Sequence, residues 1–279
     1  KLSYKNKFLV VKQDLDEKYI HLSEIDTIIV DSLAVSISAY LLKELSDNKI
    51  NIIFCDEKHN PFGELSTYYS KHNTSKMNQK QILWTSSEKD KAWKKIVKNK
   101  LLNQAYMLSK IDSEKYKLLL DYIIDVKDGD STNREGHAAK VYFNALFGLD
   151  FTRTEDNLIN AALNYGYSII LSSFTREIVA NGYITQLGLF HDNMFNQFNL
   201  ASDLMEPFRP LVDKCVLGMK LEQFEHEEKM WLVDILNQEV QIDGKIQYVS
   251  NAIKIYCKSV FDALNEDDSA LVRFYKIEL

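Results

Sequence analysis

Glycine and proline are scarce in this chain, with 9 Gly and 3 Pro among 279 residues. Both residues punctuate backbones, so a loop-rich all-β fold is disfavoured and long helices are expected. Hydrophobic residues at 46% and charged residues at 27% are ordinary globular proportions, enough to bury a core without staples. Cys55, Cys215 and Cys257 lie far apart and make no C-x-x-C pair. That suits reduced structural thiols in a cytosolic protein, not a disulfide framework or zinc knuckle. No apolar run approaches the ~18 residues of a membrane span. The opening Lys1-Leu2-Ser3-Tyr4-Lys5 lacks the apolar stretch of a signal peptide, and the missing initiator Met implies a short preceding piece. A cytoplasmic protein without a membrane partner is expected.

The hydrophobic pattern changes period once. Residues 1–78 read as a small β-rich domain, with short apolar runs at Phe8-Leu9-Val10-Val11, Tyr19-Ile20-His21-Leu22, Thr27-Ile28-Ile29-Val30 and Asn51-Ile52-Ile53-Phe54-Cys55. A helix is expected over 36–48, a turn at Pro61 and Gly63, and a further strand over 64–69. The pattern turns polar over 73–79, where a linker is placed. Residues 79–279 read as a larger, mostly α-helical domain, with helices over 92–111, 135–147, 157–181, 207–217 and 251–264. In the third of these, Leu163, Tyr167, Ile170, Phe174 and Ile178 share one side, and Gly182 falls just past the end. The fold class is therefore α+β.

Net charge is −6, and residues 221–279 carry that excess, with 12 acidic against 6 basic residues. The middle of the chain holds a basic run, Lys89, Lys91, Lys94, Lys95, Lys98 and Lys100. It can serve a phosphate backbone or be a solvated helix face.

Three segments carry candidate chemistry. Thr132-Asn133-Arg134-Glu135-Gly136-His137 has the spacing of a capping box, in which Glu135 bonds back to the cap amide. Viewed alone, Glu135 is a helix cap and His137 a surface histidine. Gly188-Leu189-Phe190-His191-Asp192-Asn193 presents a histidine between glycine-bearing turns, and imidazole is the commonest metal ligand. Ser202-Asp203-Leu204-Met205-Glu206-Pro207-Phe208-Arg209-Pro210 sets two carboxylates three apart, on one helical face, among apolar residues. A local Glu206–Arg209 ion pair is the plain alternative.

In this order the segments resemble the CRISPR-associated spacer-acquisition integrase, the DNA-cutting and joining subunit of CRISPR adaptation. Arg134-Glu135-Gly136-His137-Ala138-Ala139 is similar to its first metal-ligand segment, and His191 matches its histidine ligand. Asn164-Tyr165-Gly166-Tyr167 resembles the helix lining its site, and the 202–210 segment resembles its acidic segment. His21–Val30, followed by a helix and Ile52-Ile53-Phe54-Cys55-Asp56, resembles its β-domain, with the first strand of that domain truncated or absent. The texture is closest to the subtype found beside a single-protein RNA-guided effector nuclease (type II).

The resemblance implies catalytic metal ligands Glu135, His191 and Glu206, with Asp203 orienting Glu206 or binding the metal through water. Mg²⁺ or Mn²⁺ is implied, imidazole favouring the softer ion. Arg134, Lys140 and Arg209 are candidate DNA contacts, and Tyr165 and Tyr167 candidate site-lining residues. The implied partners are double-stranded DNA fragments, CRISPR repeat DNA, a second copy of the chain paired through the β-domain, and a small ferredoxin-like adaptation subunit. The effector nuclease and accessory adaptation proteins complete the set, in a prokaryotic cytoplasm. Two other readings stand beside it: a catalytically silent DNA-end-binding scaffold, and a tyrosine recombinase, which five scattered arginines serve poorly.

Overall fold

The computed structural model describes residues 1–14, 16–57, 61–65, 73–219 and 221–277. Contacts divide the chain into two units, Lys1–His72 and Asn73–Leu279. β-strands precede a mostly helical remainder, as the pattern of periods implies.

The first unit holds two three-stranded sheets. β1 (Leu2–Lys5), β2 (Phe8–Gln13) and β3 (Asp16–His21) form an antiparallel meander. β4 (Thr27–Val30) runs parallel to β5 (Asn51–Cys55), and β6 (Pro61–Glu64) pairs antiparallel with β5. A parallel pair needs a crossover, supplied by α1 (Ala39–Asp47). The Ser38 hydroxyl caps α1 by accepting from the Leu41 amide at 3.2 Å. Leu41 and Leu45, one turn apart, pack with Leu9, Leu22, Val30, Ile50 and Ile52 in an apolar core. Where a turn was expected at Pro61 and Gly63 the chain makes an edge strand, a place that tolerates proline. Residues 66–69 of the expected strand over 64–69 lie outside the described residues.

The second unit is built on two 23-residue helices, α3 (Ser86–Leu108) and α6 (Leu158–Ala180). It begins at α2 (Thr74–Leu83), inside the stretch expected to be a linker. No apolar stripe announces α2 because hydrogen bonds anchor it. The buried Gln81 amide donates to Ile184 O at 2.8 Å and Leu187 O at 3.0 Å, and its oxygen accepts from Ile184 N at 2.8 Å. α3 opens on a Thr85–Glu88 capping box. It packs against α4 (Ser113–Asp125), α5 (Arg134–Phe147) and α8 (Arg209–Gly218). α6 packs against α7 (Asn199–Leu204), α8 and α9 (His226–Val233).

The acidic C-terminal stretch is folded into this unit. β7 (Glu239–Ile242) and β8 (Lys245–Tyr248) form a hairpin whose Asp243 and Gly244 both take positive φ. α10 (Val249–Glu266) buries Ile253, Tyr256, Val260 and Phe261, and β9 (Tyr275–Lys276) returns to pair with β7. No helix among the described residues is long and apolar enough to cross a membrane.

Candidate active site

The site is assembled at the N-terminus of α5, the loop before α7, the turn between α7 and α8, and the middle of α3. Its central residue is Lys100, the last lysine of the basic run. Lys100 is 7% exposed. Its ammonium donates to Glu135 Oε1 at 2.5 Å and to Glu206 Oε2 in a shorter contact. The signal was present in the sequence. Lys100, Asn103 and Gln104 fall among Ile96, Val97, Leu101 and Leu108, at positions whose helical spacing belongs to a core face. Of the other lysines in the run, Lys91 pairs with Asp267 at 3.0 Å and Lys94 with Asp128 at 2.8 Å.

Glu135 is not a helix cap. The α5 amides of Arg134 and Glu135 donate to the two oxygens of Asp130, each at 2.9 Å. The Thr132 hydroxyl faces Asp125 O instead, so the capping box is not formed. Asp130 thereby releases the Glu135 carboxylate to face α3.

Glu206 is buried at 3% exposure and meets two cations, Lys100 and the Arg209 Nε at 2.8 Å. Burial pushes its pKa up, but Arg209 and Lys100 outweigh it and hold the carboxyl down at about 2. Its turn is pinned at Pro207 O, which accepts from Asn103 Nδ2 at 3.0 Å and Tyr275 OH at 2.9 Å.

Asp203, expected beside Glu206, serves His191 instead. It is fully buried. It accepts from the amides of Leu189 at 2.6 Å, Phe190 at 3.1 Å and His191 at 3.1 Å, and from His191 Nδ1 at 2.5 Å. Asp203 has no lone pair left to spare for a metal in this arrangement. It fixes the imidazole tautomer and leaves Nε2 without a protein partner among the described residues, the carboxylate–histidine geometry that orients metal-binding imidazoles. The Asp203 hydrogen bond raises the His191 pKa against desolvation, and Glu206 and Glu135 lie close enough to add to the rise. Trp93 supports the loop: Phe190 stacks on it at 4.7 Å, and His191 meets it edge-on at 5.9 Å. Gly188 is required here, because a Cβ would stand 2.3 Å from His191 O and 2.7 Å from Asp203 Oδ2.

A cavity of about 170 Å³ opens beside Glu206, lined by Lys100, Gln104, Arg153, Tyr167, Arg209 and Asp213, with Phe143 at its edge. Asp213 ties three helices by accepting from Tyr142 OH at 3.0 Å and from Tyr167 OH. Burial raises its pKa to about 6 despite those two hydrogen bonds. The guanidiniums of Arg153 and Arg209 lie over the Tyr167 ring, at 5.4 and 4.5 Å from its centroid. Tyr165 does not line this space. Two residues from Tyr167 on the same helix, it turns to Phe224 and Lys229. Among the candidate DNA contacts, Arg209 is in the site, Arg134 pairs with Asp125 at 3.3 Å, and Lys140 is exposed on α5.

The donor set suits a divalent cation: two carboxylates already meet at one positive charge, beside an imidazole with one nitrogen tied and the other open. The space between the two carboxylates is taken by Lys100. Among the described residues, no three or more His, Cys, Asp or Glu side chains stand in metal-holding array.

The chain thus carries a β-rich unit followed in sequence by a mostly helical unit in which two carboxylates, Glu135 and Glu206, meet at Lys100. The model of the CRISPR associated protein Cas1 family matches residues 1–234, and the chain belongs to that family. It is 36% identical over 220 residues to the CRISPR-associated endonuclease Cas1 of Neisseria meningitidis serogroup C, covering 78% of this chain and 72% of that one. A casposase bound to its integration product shares the fold at TM-score 0.75 and 19% identity, over 96% of this chain and 89% of that one. A Cas6-RT-Cas1–Cas2 complex gives TM-score 0.76 at 18% identity, over 99% of this chain and 35% of a longer one.

Proposed function

We propose that the chain is a divalent-metal-dependent DNA endonuclease and integrase of CRISPR adaptation, joining captured DNA fragments to a CRISPR array. The observation that carries this reading is the convergence of Glu135 and Glu206 on one cation, next to a histidine oriented by buried Asp203. Family membership and the endonuclease and casposase relatives support it.

Glu135, Glu206 and His191 Nε2 would hold Mg²⁺ or Mn²⁺. When bound, such an ion neutralises charge on the scissile phosphate and favours an oxygen nucleophile. The 3′-hydroxyl of the fragment attacks a phosphorus of the array DNA. The new P–O bond replaces the old one, and the departing strand keeps a 3′-hydroxyl. Asp203 keeps the imidazole in one tautomer throughout. Arg209, stacked on Tyr167 and held by Glu206, offers its remaining N–H groups to a non-bridging phosphate oxygen. Arg134 and Lys140 extend the phosphate contacts along α5. The chain works as a homodimer through its β-rich unit, with a small ferredoxin-like subunit and DNA as partners, in the cytoplasm of a prokaryote. The effector and accessory adaptation proteins belong to the same reading, as does the type II assignment, which rests on the texture of the resemblance.

The second reading is a silent DNA-end-binding scaffold. The observation favouring it is Lys100, which neutralises both carboxylates without any metal. Strand transfer decides between the two. Fragment DNA with free 3′-hydroxyls, a repeat-bearing plasmid, Mn²⁺ and the small subunit are combined with unmodified chain or Glu135→Gln. The integrase reading expects joining by the former and at least a 100-fold loss in the latter, with DNA binding retained. Joining by neither, or equally by both, contradicts it.

A further inference from the structure

The ammonium of Lys100 lies between Glu135 and Glu206, the two carboxylates that would hold the metal, so the ammonium would compete with a metal for them. From this geometry we infer that Lys100 is a two-position cation. It bridges the carboxylates when no metal is bound, and on metal binding it withdraws along α3 to the oxygen of Gln104. The inference rests on the metal-binding reading above and adds the residue that governs loading.

Three observations carry it. Lys100 bonds to both carboxylates at once, although nearly all of its surface is buried. Two like charges confined together need a cation between them, so without metal the lysine keeps the pair folded in place. Gln104 is one helical turn along the same face and lines the same cavity as Lys100. Gln104 is 1% exposed, and its Oε1 is buried without a hydrogen-bond partner among the described residues. A buried acceptor left unmade is costly, and such groups in native proteins usually mark a partner that arrives in another state. The flexible four-carbon stem of a lysine suits a shift of this kind, where the planar fork of an arginine does not. In its second position the ammonium faces the cavity that Arg153 and Arg209 also line, so the withdrawn charge stays available at the site.

The prediction separates competition from plain structural support. A lysine that merely braces the site loses metal affinity along with stability when removed. A competing lysine loses stability in the metal-free chain and gains metal affinity. The test is calorimetric titration of Mn²⁺ into the unmodified chain, Lys100→Met and Gln104→Leu, with the melting temperature of each in EDTA and in Mn²⁺. Expected are a lower Tm in EDTA and at least tenfold tighter Mn²⁺ binding for Lys100→Met. Gln104→Leu leaves the Lys100 bridge intact, so its EDTA melting is near normal while Mn²⁺ binds several-fold more weakly. If Lys100→Met does not fold, the Gln104→Leu titration decides alone. Unchanged or tighter Mn²⁺ binding by Gln104→Leu, or weaker binding by a folded Lys100→Met, overturns the inference. Glu135→Gln is the control for the underlying reading: if the unmodified chain binds Mn²⁺ no better than Glu135→Gln, the metal site itself is wrong, whatever Lys100 does.

Discussion

Asp203 and Glu206 are three residues apart, both buried and both acidic, yet the two arms of the site satisfy them differently. Asp203 is met by three backbone amides and an imidazole, groups fixed by the course of the loop. Glu206 is met by two side chains, Lys100 and Arg209. Backbone donors cannot leave without unfolding the segment, whereas a lysine can rotate away. One arm is therefore built to be permanent and the other to exchange its partner. A centre that holds a cation needs both: an imidazole that stays aimed, and carboxylates able to trade one positive charge for another.

The comparison breaks first at the permanent arm. Asp203→Ala strands three amides and the imidazole, and is expected to cost about 3–5 kcal/mol in urea unfolding. A loss under about 1 kcal/mol would mean the amides find water and the arm is not fixed. Next comes Gly188→Ala, whose methyl meets His191 O and the Asp203 carboxylate. Overpacking there is expected to cost about 1–3 kcal/mol and to weaken Mn²⁺ binding by displacing the ring.

Beside the exchangeable arm, Asp213 sharpens the contrast through pH. Folding raises its pKa from 3.8 to about 6, so the folded chain binds the proton more tightly than the unfolded one. Its stabilising contribution is complete below pH 3.8 and is lost as pH rises through about 6. Unfolding curves across that interval should show this loss, and Asp213→Asn should remove it. An unchanged pH profile in the variant would assign the slope to another group. The smallest effects are at the start of α5. Asp130→Ala should cost about 1 kcal/mol as the loss of a cap, and Thr132→Ala less than about 0.5 kcal/mol. The reverse order would restore the capping box and return Glu135 to a structural role.

The division into a β-rich part and a helical part was legible from hydrophobic period alone, and so were α1, α5, α6 and α10 within a few residues. What was missed was held by polar groups or short-range turns. α2 is anchored by Gln81 and lacks an apolar stripe. The β7–β8 hairpin announced itself in Val240, Ile242 and the Asp243-Gly244 turn, but its strands are only four residues long. At the site, the sequence marked Glu135, Glu206 and Arg209, which Lys100 and the Glu206–Arg209 ion pair tie together, and His191, which Asp203 holds. It could not say that Asp203 serves His191, because those hydrogen bonds depend on how the 188–191 loop folds back on α7. Nor could it separate Lys100 from five neighbouring lysines by charge. Only its place on the apolar face of α3, readable from the helical spacing of Ile96, Val97, Leu101 and Leu108, distinguishes it.

The most direct test of the account is a crystal structure of the chain grown with Mn²⁺, with anomalous scattering collected to locate the ion. The account predicts one anomalous peak within about 2.0–2.6 Å of Glu135, Glu206 and His191 Nε2, with Lys100 withdrawn and the Asp203–His191 hydrogen bond unchanged. No peak at those residues, with Lys100 still bridging the two carboxylates at saturating Mn²⁺, would contradict it.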